Sequence, residues 1–278
     1  MSILYAFGSA FFAGITAILA KIGIKNTDSN LATAIRTIVI LIFSWLMVFI
    51  VGSFNTISSL TNKTIMFLIL SGISTGLSWL CYFKALQLGN VNKVTPIDKS
   101  STILTMILAI IFLNEKITIL KVISIILIGI GTYMMIEKKK DDKISSDNKW
   151  LFFAIGSAVF ASLTSILGKV GIDGVESNLG TAIRTIVVFV TGKQKDIKKI
   201  DNNSWKFLIL SGLTTGLSWL CYYKALQDGQ ASIVVPIDKL SIVITIVFSY
   251  FYLKEKLNKK SILGLVGIII GTLLLLIK

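Results

Sequence analysis

The stretch Ser71–Gln87, SGISTGLSWLCYFKALQ, returns as Ser211–Gln227, SGLTTGLSWLCYYKALQ, with 14 of 17 positions identical. Upstream of it, NLATAIRTIV (Asn30–Val39) returns as NLGTAIRTIV (Asn178–Val187). Downstream, TPIDK (Thr95–Lys99) returns as VPIDK (Val235–Lys239). The two cysteines, Cys81 and Cys221, and the two prolines, Pro96 and Pro236, occupy matching positions. Self-similarity at a fixed period marks a duplicated architecture.

The composition places that duplication in a membrane. Hydrophobic residues make up 54% of the 278 and charged residues 15%, with a mean hydropathy of +0.82. Soluble domains carry about 25% charged residues, so this chain has little water-facing exterior to cover. The net charge of +14 does not point to nucleic acid. Its lysines fall in short stretches between apolar spans, at 138–140, 193–199 and 254–260, where they anchor topology. With no histidine and 14 acidic residues, zinc or paired-carboxylate hydrolysis is not expected. Neither an enzyme, a metal site nor a cofactor is predicted. The cysteines read as packing residues rather than a disulfide. The first 20 residues lack a basic leader region, so no cleavable signal is expected.

A helical span needs about 20 apolar residues. Spans are predicted at 3–24, 31–52, 65–88, 94–113 and 119–136, and again at 151–172, 179–191, 206–228, 233–253 and 261–277. The charged stretch EKKKDDKISSDNK (Glu137–Lys149) divides them. The expected organisation is a first repeat over 1–137, a linker over 138–150 and a second repeat over 151–278. Five spans is an odd number, so the second copy enters the membrane inverted. The fold class expected is therefore an all-α polytopic membrane protein of ten transmembrane helices in two inverted five-helix repeats.

One span departs from the pattern. Arg36 to Phe67 covers 31 positions and the matching Arg184 to Phe207 covers 23. The seventh span is thus truncated, too short to cross about 30 Å of hydrocarbon unaided. The lysine-rich connections all fall on one side, which by the positive-inside rule is cytoplasmic, with both termini outside.

Charges inside spans are the default functional candidates, because burying one costs about 2.5 kcal/mol or more. They are Lys21, Arg36, Lys84, Asp98 and Lys99, and their counterparts Lys169, Arg184, Lys224, Asp238 and Lys239. Two readings stay open: the long side chains snorkel to the interface, with Asp98 neutralising Lys84, or they rim a polar cavity. The excess of cations would favour anionic or zwitterionic solutes. Asp98 and Asp238 are the candidates for proton coupling. Trp79, Tyr82, Trp219 and Tyr222 lie within their spans, as cavity wall or as aromatic belt. Pro96 and Pro236 are either first-turn prolines or helix breaks. Gly72-x-x-x-Gly76, Gly212-x-x-x-Gly216 and Gly267-x-x-x-Gly271 are close-approach faces. Glu115 and Glu255 are expected to cap or pair at span ends.

An aromatic third span ending in ALQ, proline near the start of the fourth, and NEK or KEK at its end resemble paired EamA domains of the drug/metabolite transporter superfamily. The resemblance covers nearly the whole chain. It implies a multi-pass carrier in a bacterial cytoplasmic membrane, moving amino acids, other metabolites, or sugars and their conjugates, with both termini inside. The implied partners are the lipid bilayer and a small solute, with a proton or counter-solute as coupling partner, in a monomer or homodimer. The expected activity is secondary transport of a small polar metabolite by alternating access, one repeat rocking against the other. The rivals are a multidrug exporter of cations, and a scaffold or flippase partner without turnover of its own.

Overall fold

A computed structural model describes residues 1–23, 29–88, 94, 97–98, 100–135, 149–191, 202–252 and 258–277. Every regular element among them is helical: α1 (Ser2–Gly23), α2 (Ser29–Val51), a 3-10 segment (Ser53–Ser59), α3 (Asn62–Leu88), α4 (Ser101–Phe112), α5 (Ile119–Met134), α6 (Lys149–Gly171), α7 (Ser177–Thr191), α8 (Asn202–Asp228), α9 (Ala231–Lys239), α10 (Ser241–Tyr252) and α11 (Lys259–Leu274). Helices are what lipid demands of a lone apolar segment, since only they pair the backbone internally. Four of them contain stretches long and apolar enough to cross a bilayer: Ser2–Ala20, Ala34–Val51, Asn62–Tyr82 and Lys149–Gly171.

The chain forms two compact units, and each draws on both halves of the sequence. The first comprises Met1–Ile73, Leu167–Gly229 and Ile237–Glu255. In it α1 lies against α8 and α10, and α2 against α7 and α8. Glycine sets how closely these helices approach. A Cβ at Gly72 would stand 3.0 Å from the carbonyl oxygen of Arg184 and 2.7 Å from Val187. At the matching Gly212 it would stand 3.2 Å from the carbonyl of Arg36 and 2.7 Å from Val39. So the arginine-bearing helix of each repeat presses its backbone onto the glycine of the other. Outside these helices, the Glu176 carboxylate accepts from the amides of Asn178 (3.0 Å) and Leu179 (3.1 Å) and from Ser53 Oγ (2.7 Å). It thereby caps the start of α7 and ties the 3-10 segment to it.

The second unit comprises Ser74–Ile166, Gln230–Pro236 and Lys256–Lys278. Here α5 packs on α11, with polarity arranged inside out. The buried face of α5 is Lys121, Ser124, Ile128, Gly131 and Thr132, while Ile119, Ile126 and Ile130 are exposed. The buried face of α11 is Ser261, Gly264, Ile268, Gly271 and Thr272, with Leu263, Val266 and Ile270 outside. Small residues inside and branched aliphatics outside is the pattern of helices solvated by lipid. A Cβ at Gly131 would come within 2.5 Å of the Gly264 carbonyl, and one at Gly271 within 3.2 Å of the Ser124 carbonyl.

The segments predicted as the fourth span of each repeat do not run straight. Pro236 is the sixth of nine residues in α9 rather than a first-turn residue. It has no amide to donate one turn back, and its ring crowds that carbonyl. The helix stops at Lys239 and restarts at Ser241, bridged by tight bonds from Leu240 N to Ile237 O (3.0 Å) and Val243 N to Leu240 O (2.9 Å). The first repeat has the same tight bonds, Ser100 N to Ile97 O (3.1 Å) and Ile103 N to Ser100 O (3.0 Å). Pro96 itself lies outside the described residues, as do most of the linker and the connections at 192–201 and 253–257. Helix α7 has 15 residues where α2 has 23, about 22 Å of rise, as its sequence predicts.

Gly131→Val is expected to lower the thermal unfolding midpoint of the detergent-purified protein by several degrees, the cost of overpacking being about 1–3 kcal/mol. Gly52→Ala, a substitution at a left-handed residue with open space around it, serves as the contrast, its cost coming from the backbone alone. Midpoints measured by intrinsic fluorescence check both, and equal shifts would remove the packing argument.

Candidate functional site

The carboxylates Asp98 and Asp238 each accept from a serine of the opposite repeat. In the first unit Ser9 Oγ, on α1, donates to Asp238 Oδ1 at 2.5 Å and lies 3.2 Å from Ser218 Oγ, on α8. Ser218 Oγ also reaches the Ser9 carbonyl at 3.1 Å. In the second unit Ser157 Oγ, on α6, donates to Asp98 Oδ1 at 2.6 Å, and Ser78 Oγ, on α3, donates to the Ser157 carbonyl at 3.1 Å. Ser9 and Ser157 are repeat counterparts within the matching runs GSA, as are Ser78 and Ser218. One Ser–Ser–Asp chain, in which the second serine bonds to the aspartate's serine donor, is therefore built twice. Each cluster is lined by a cysteine packed on a glycine: a Cβ at Gly8 would touch Cys221 Sγ at 3.5 Å, and one at Gly156 would touch Cys81 Sγ at 3.4 Å. Both cysteines are free thiols, as packing residues should be.

The arginines also reach across repeats, both within the first unit. Arg184 is fully buried. Its Nε donates to Ser71 Oγ at 2.8 Å, and its guanidinium lies 4.0 Å from the ring centre of Tyr223 and 5.9 Å from that of Trp219. Desolvated cation–π contacts of this kind are worth about 2 kcal/mol. Gly168 makes the room, because a Cβ there would stand 2.7 Å from the Tyr223 ring. Arg36 is partly exposed, and its Nη2 donates to Thr215 Oγ1 at 3.0 Å. Thr215, Trp219 and Tyr223 follow one another at four-residue spacing on α8, so both arginines lie along one stripe of that helix.

These interlocked helices, with their apolar exteriors, fit a known family. The profile of the EamA-like transporter family matches residues 1–137 and again 148–277. The chain belongs to the EamA-like transporter family. It is a multi-pass membrane protein of the drug/metabolite transporter superfamily. A Sinorhizobium sp. protein named "Uncharacterized transporter in cobO 3'region" is 44% identical over 134 residues, covering 95% of that protein and 45% of this chain. A Latilactobacillus sakei protein named "Putative ribose uptake protein RbsU" is 23% identical over 275 residues, 94% of this chain and 90% of its own. The crystal structure of a further chain superposes with a TM-score of 0.80 over 99% of this chain and 98% of that one. At 12% identity that likeness speaks for the fold alone.

The remaining sequence-predicted residues of this EamA protein disperse. Lys169 Nζ donates to the carbonyls of Leu226 (2.7 Å) and Gly229, closing the end of α8, where a cation suits the helix dipole. Lys224 pairs with Asp228 at 3.1 Å at the surface, Lys239 with its neighbour Asp238 at 3.5 Å, and Lys84 is exposed. Tyr82 packs against Ala85, Val94 and Ala154. Trp79 is half-buried, and Tyr222 is buried edge-on to Tyr223 at 5.2 Å between ring centres. Lys99 and the Lys21 side chain lie outside the described residues.

Sequence reasoning passed over the serines of both clusters, Tyr223 and Ser71. The repetition of GSA was the available signal for Ser9 and Ser157. It also left open whose helix Glu115 would cap. Glu115 is buried and accepts from the amides of Ala231 (2.6 Å) and Ser232 (3.2 Å) and from Ser232 Oγ, at the start of α9. Lys121 Nζ lies 3.4 Å from the same carboxylate and donates to Gln230 Oε1 at 2.9 Å. Glu255 lies outside the described residues.

Glu115→Ala leaves a buried ammonium and two amides without their acceptor, a loss of about 3–5 kcal/mol. The expected result is a fall of many degrees in thermal midpoint, with a smaller fall for Glu115→Gln, which keeps an acceptor. Equal midpoints for wild type and Glu115→Ala would refute the cap.

Proposed function

We propose that this EamA protein is a secondary transporter for a small polar metabolite, anionic or zwitterionic. It would be built from ten transmembrane helices in two inverted five-helix repeats with the seventh shortened, and would work by alternating access across the bacterial cytoplasmic membrane. The carrying observation is the Ser–Ser–Asp chain occurring twice at repeat-equivalent positions. Duplicated ionisable groups at broken helices are what an alternating carrier uses to offer one site to two sides in turn. Asp98 and Asp238 are the proposed coupling carboxylates: protonation would exchange a charge-assisted acceptor for a neutral group and loosen the contact between repeats. Because each compact unit contains parts of both repeats, a rigid swing of one whole repeat would break all these contacts together. The motion proposed is therefore local, with the two clusters opening alternately.

The buried guanidinium of Arg184 and the partly exposed one of Arg36 support an anionic or zwitterionic solute over a cation. The neutral sugar in the name of the Latilactobacillus sakei relative stands as a control. The test is uptake of labelled glutamate, succinate, alanine, ribose and ethidium into proteoliposomes, with and without an imposed pH gradient. Glutamate or succinate is expected to enter faster than into protein-free vesicles and to respond to the gradient. Asp98→Asn and Asp238→Asn should each slow uptake roughly tenfold, the equivalent of one lost charged hydrogen bond. Movement of ethidium alone would favour the cation exporter. Silence from well-folded protein would favour the scaffold.

A further inference from the structure

Of the 28 basic residues in the chain, 26 are lysine and two are arginine, and the two arginines are repeat counterparts. A chain that uses lysine almost everywhere retains a guanidinium at Arg36 and Arg184. The chemical difference is the planar fork of fixed donors, suited to oxyanions and to aromatic faces. The surroundings of the two have diverged. Arg184 is committed: fully buried, bonded to Ser71, and stacked on Tyr223 beside Trp219. The stack depends on Gly168, and the first repeat has Phe83 and Ala20 where the second has Tyr223 and Gly168.

Among the described residues no aromatic ring stacks on Arg36. One nitrogen, Nη2, is held by Thr215. One nitrogen of each guanidinium, Nε of Arg36 and Nη1 of Arg184, is buried with no hydrogen-bond partner. But Arg184 is fully enclosed while Arg36 is partly exposed, and among the described residues no carboxylate pairs with Arg36. A desolvated guanidinium edge without an acceptor is costly. It becomes favourable when a carboxylate or phosphate takes up the fork in bidentate geometry.

We infer that Arg36 is the oxyanion-binding residue of this transporter, oriented by Thr215, and that its counterpart Arg184 is a fixed structural cation. The ligand class is a small solute carrying a carboxylate or a phosphate. This rests on the transporter reading for the solute's passage but not for its binding, so the two can fail separately.

With two arginines in the chain, an arginine-directed dicarbonyl reagent followed by peptide mass spectrometry resolves them cleanly. In detergent-purified protein, phenylglyoxal is expected to modify Arg36 and spare Arg184. Succinate, glutamate or glycerol 3-phosphate should slow Arg36 modification several-fold, and ribose should not. In a thermal-shift titration, Arg36→Gln should weaken the protecting anion at least about tenfold while the ligand-free midpoint stays near wild type. Thr215→Val, which keeps the charge and removes its anchor, should weaken it less. Arg184→Gln should lower the ligand-free midpoint instead. Equal modification of both arginines, absence of protection by all three anions, or wild-type affinity in Arg36→Gln would each overturn the assignment. Transport of ribose or alanine that survives Arg36→Gln would overturn it too, leaving the transporter reading intact.

Discussion

A carboxylate inside a helix surrounded by lipid has no water to turn to, and its own helix has no spare donors. Asp98 and Asp238 are each met by a serine of the other repeat's first helix. That pairing interleaves the two halves of the chain. The first helix of one repeat settles beside the third and fourth of the other, and the compact units mix both repeats instead of separating them. Duplication supplies the donors automatically, since a copy that brings another aspartate also brings the serine that its counterpart needs.

Glycine converts this interleaving into fixed geometry. Gly72 and Gly212 bring the backbones of α7 and α2 so close that a methyl group would crowd the arginine carbonyls. At that separation a guanidinium can span from its own helix to a hydroxyl on the next, as Arg184 does to Ser71 and Arg36 to Thr215. The same residue type acts on the α5–α11 face, where Gly131 and Gly271 meet carbonyls of the partner helix. Close helix contact in lipid draws on dispersion rather than on water exclusion, so small residues are concentrated where helices of different repeats meet.

Several of these features were legible in the sequence. The all-helical character, the short α7 and the approach faces follow from periodicity, length and glycine spacing, and the family from the resemblance carried by ALQ, the prolines and NEK or KEK, all of which are local. What escaped was which helix meets which. Glu115 reads correctly as a capping group, yet the helix it caps is α9, more than a hundred residues downstream. Tyr222 and Tyr223 are neighbours in sequence, and only packing decides that Tyr223 faces the guanidinium. The break near Pro236 was one of two readings, because a proline five residues further along a helix looks the same in sequence as one that starts it. Serine gave the weakest signal: it is common in membrane helices, and its role appears only when an acceptor from a distant segment stands beside it.

The departures from internal symmetry carry the most specific information. A perfectly duplicated carrier would hold its two states at equal energy, so each difference between the repeats is a bias. Tyr223 with Gly168 makes an aromatic seat for Arg184, whereas the first repeat carries Phe83 and Ala20 at those positions. Lys121, which joins Glu115 beneath α9, has a serine, Ser261, as its counterpart. Both changes add fixed interactions around second-repeat helices, at the buried arginine and at the start of α9. The arginine left partly exposed is the one belonging to the first repeat. In a carrier, the side that holds fewer internal partners is the side that has donors to offer a solute. Under the proposed mechanism, that asymmetry turns a symmetric duplicate into a protein with a preferred resting state and a single place for an anion to bind.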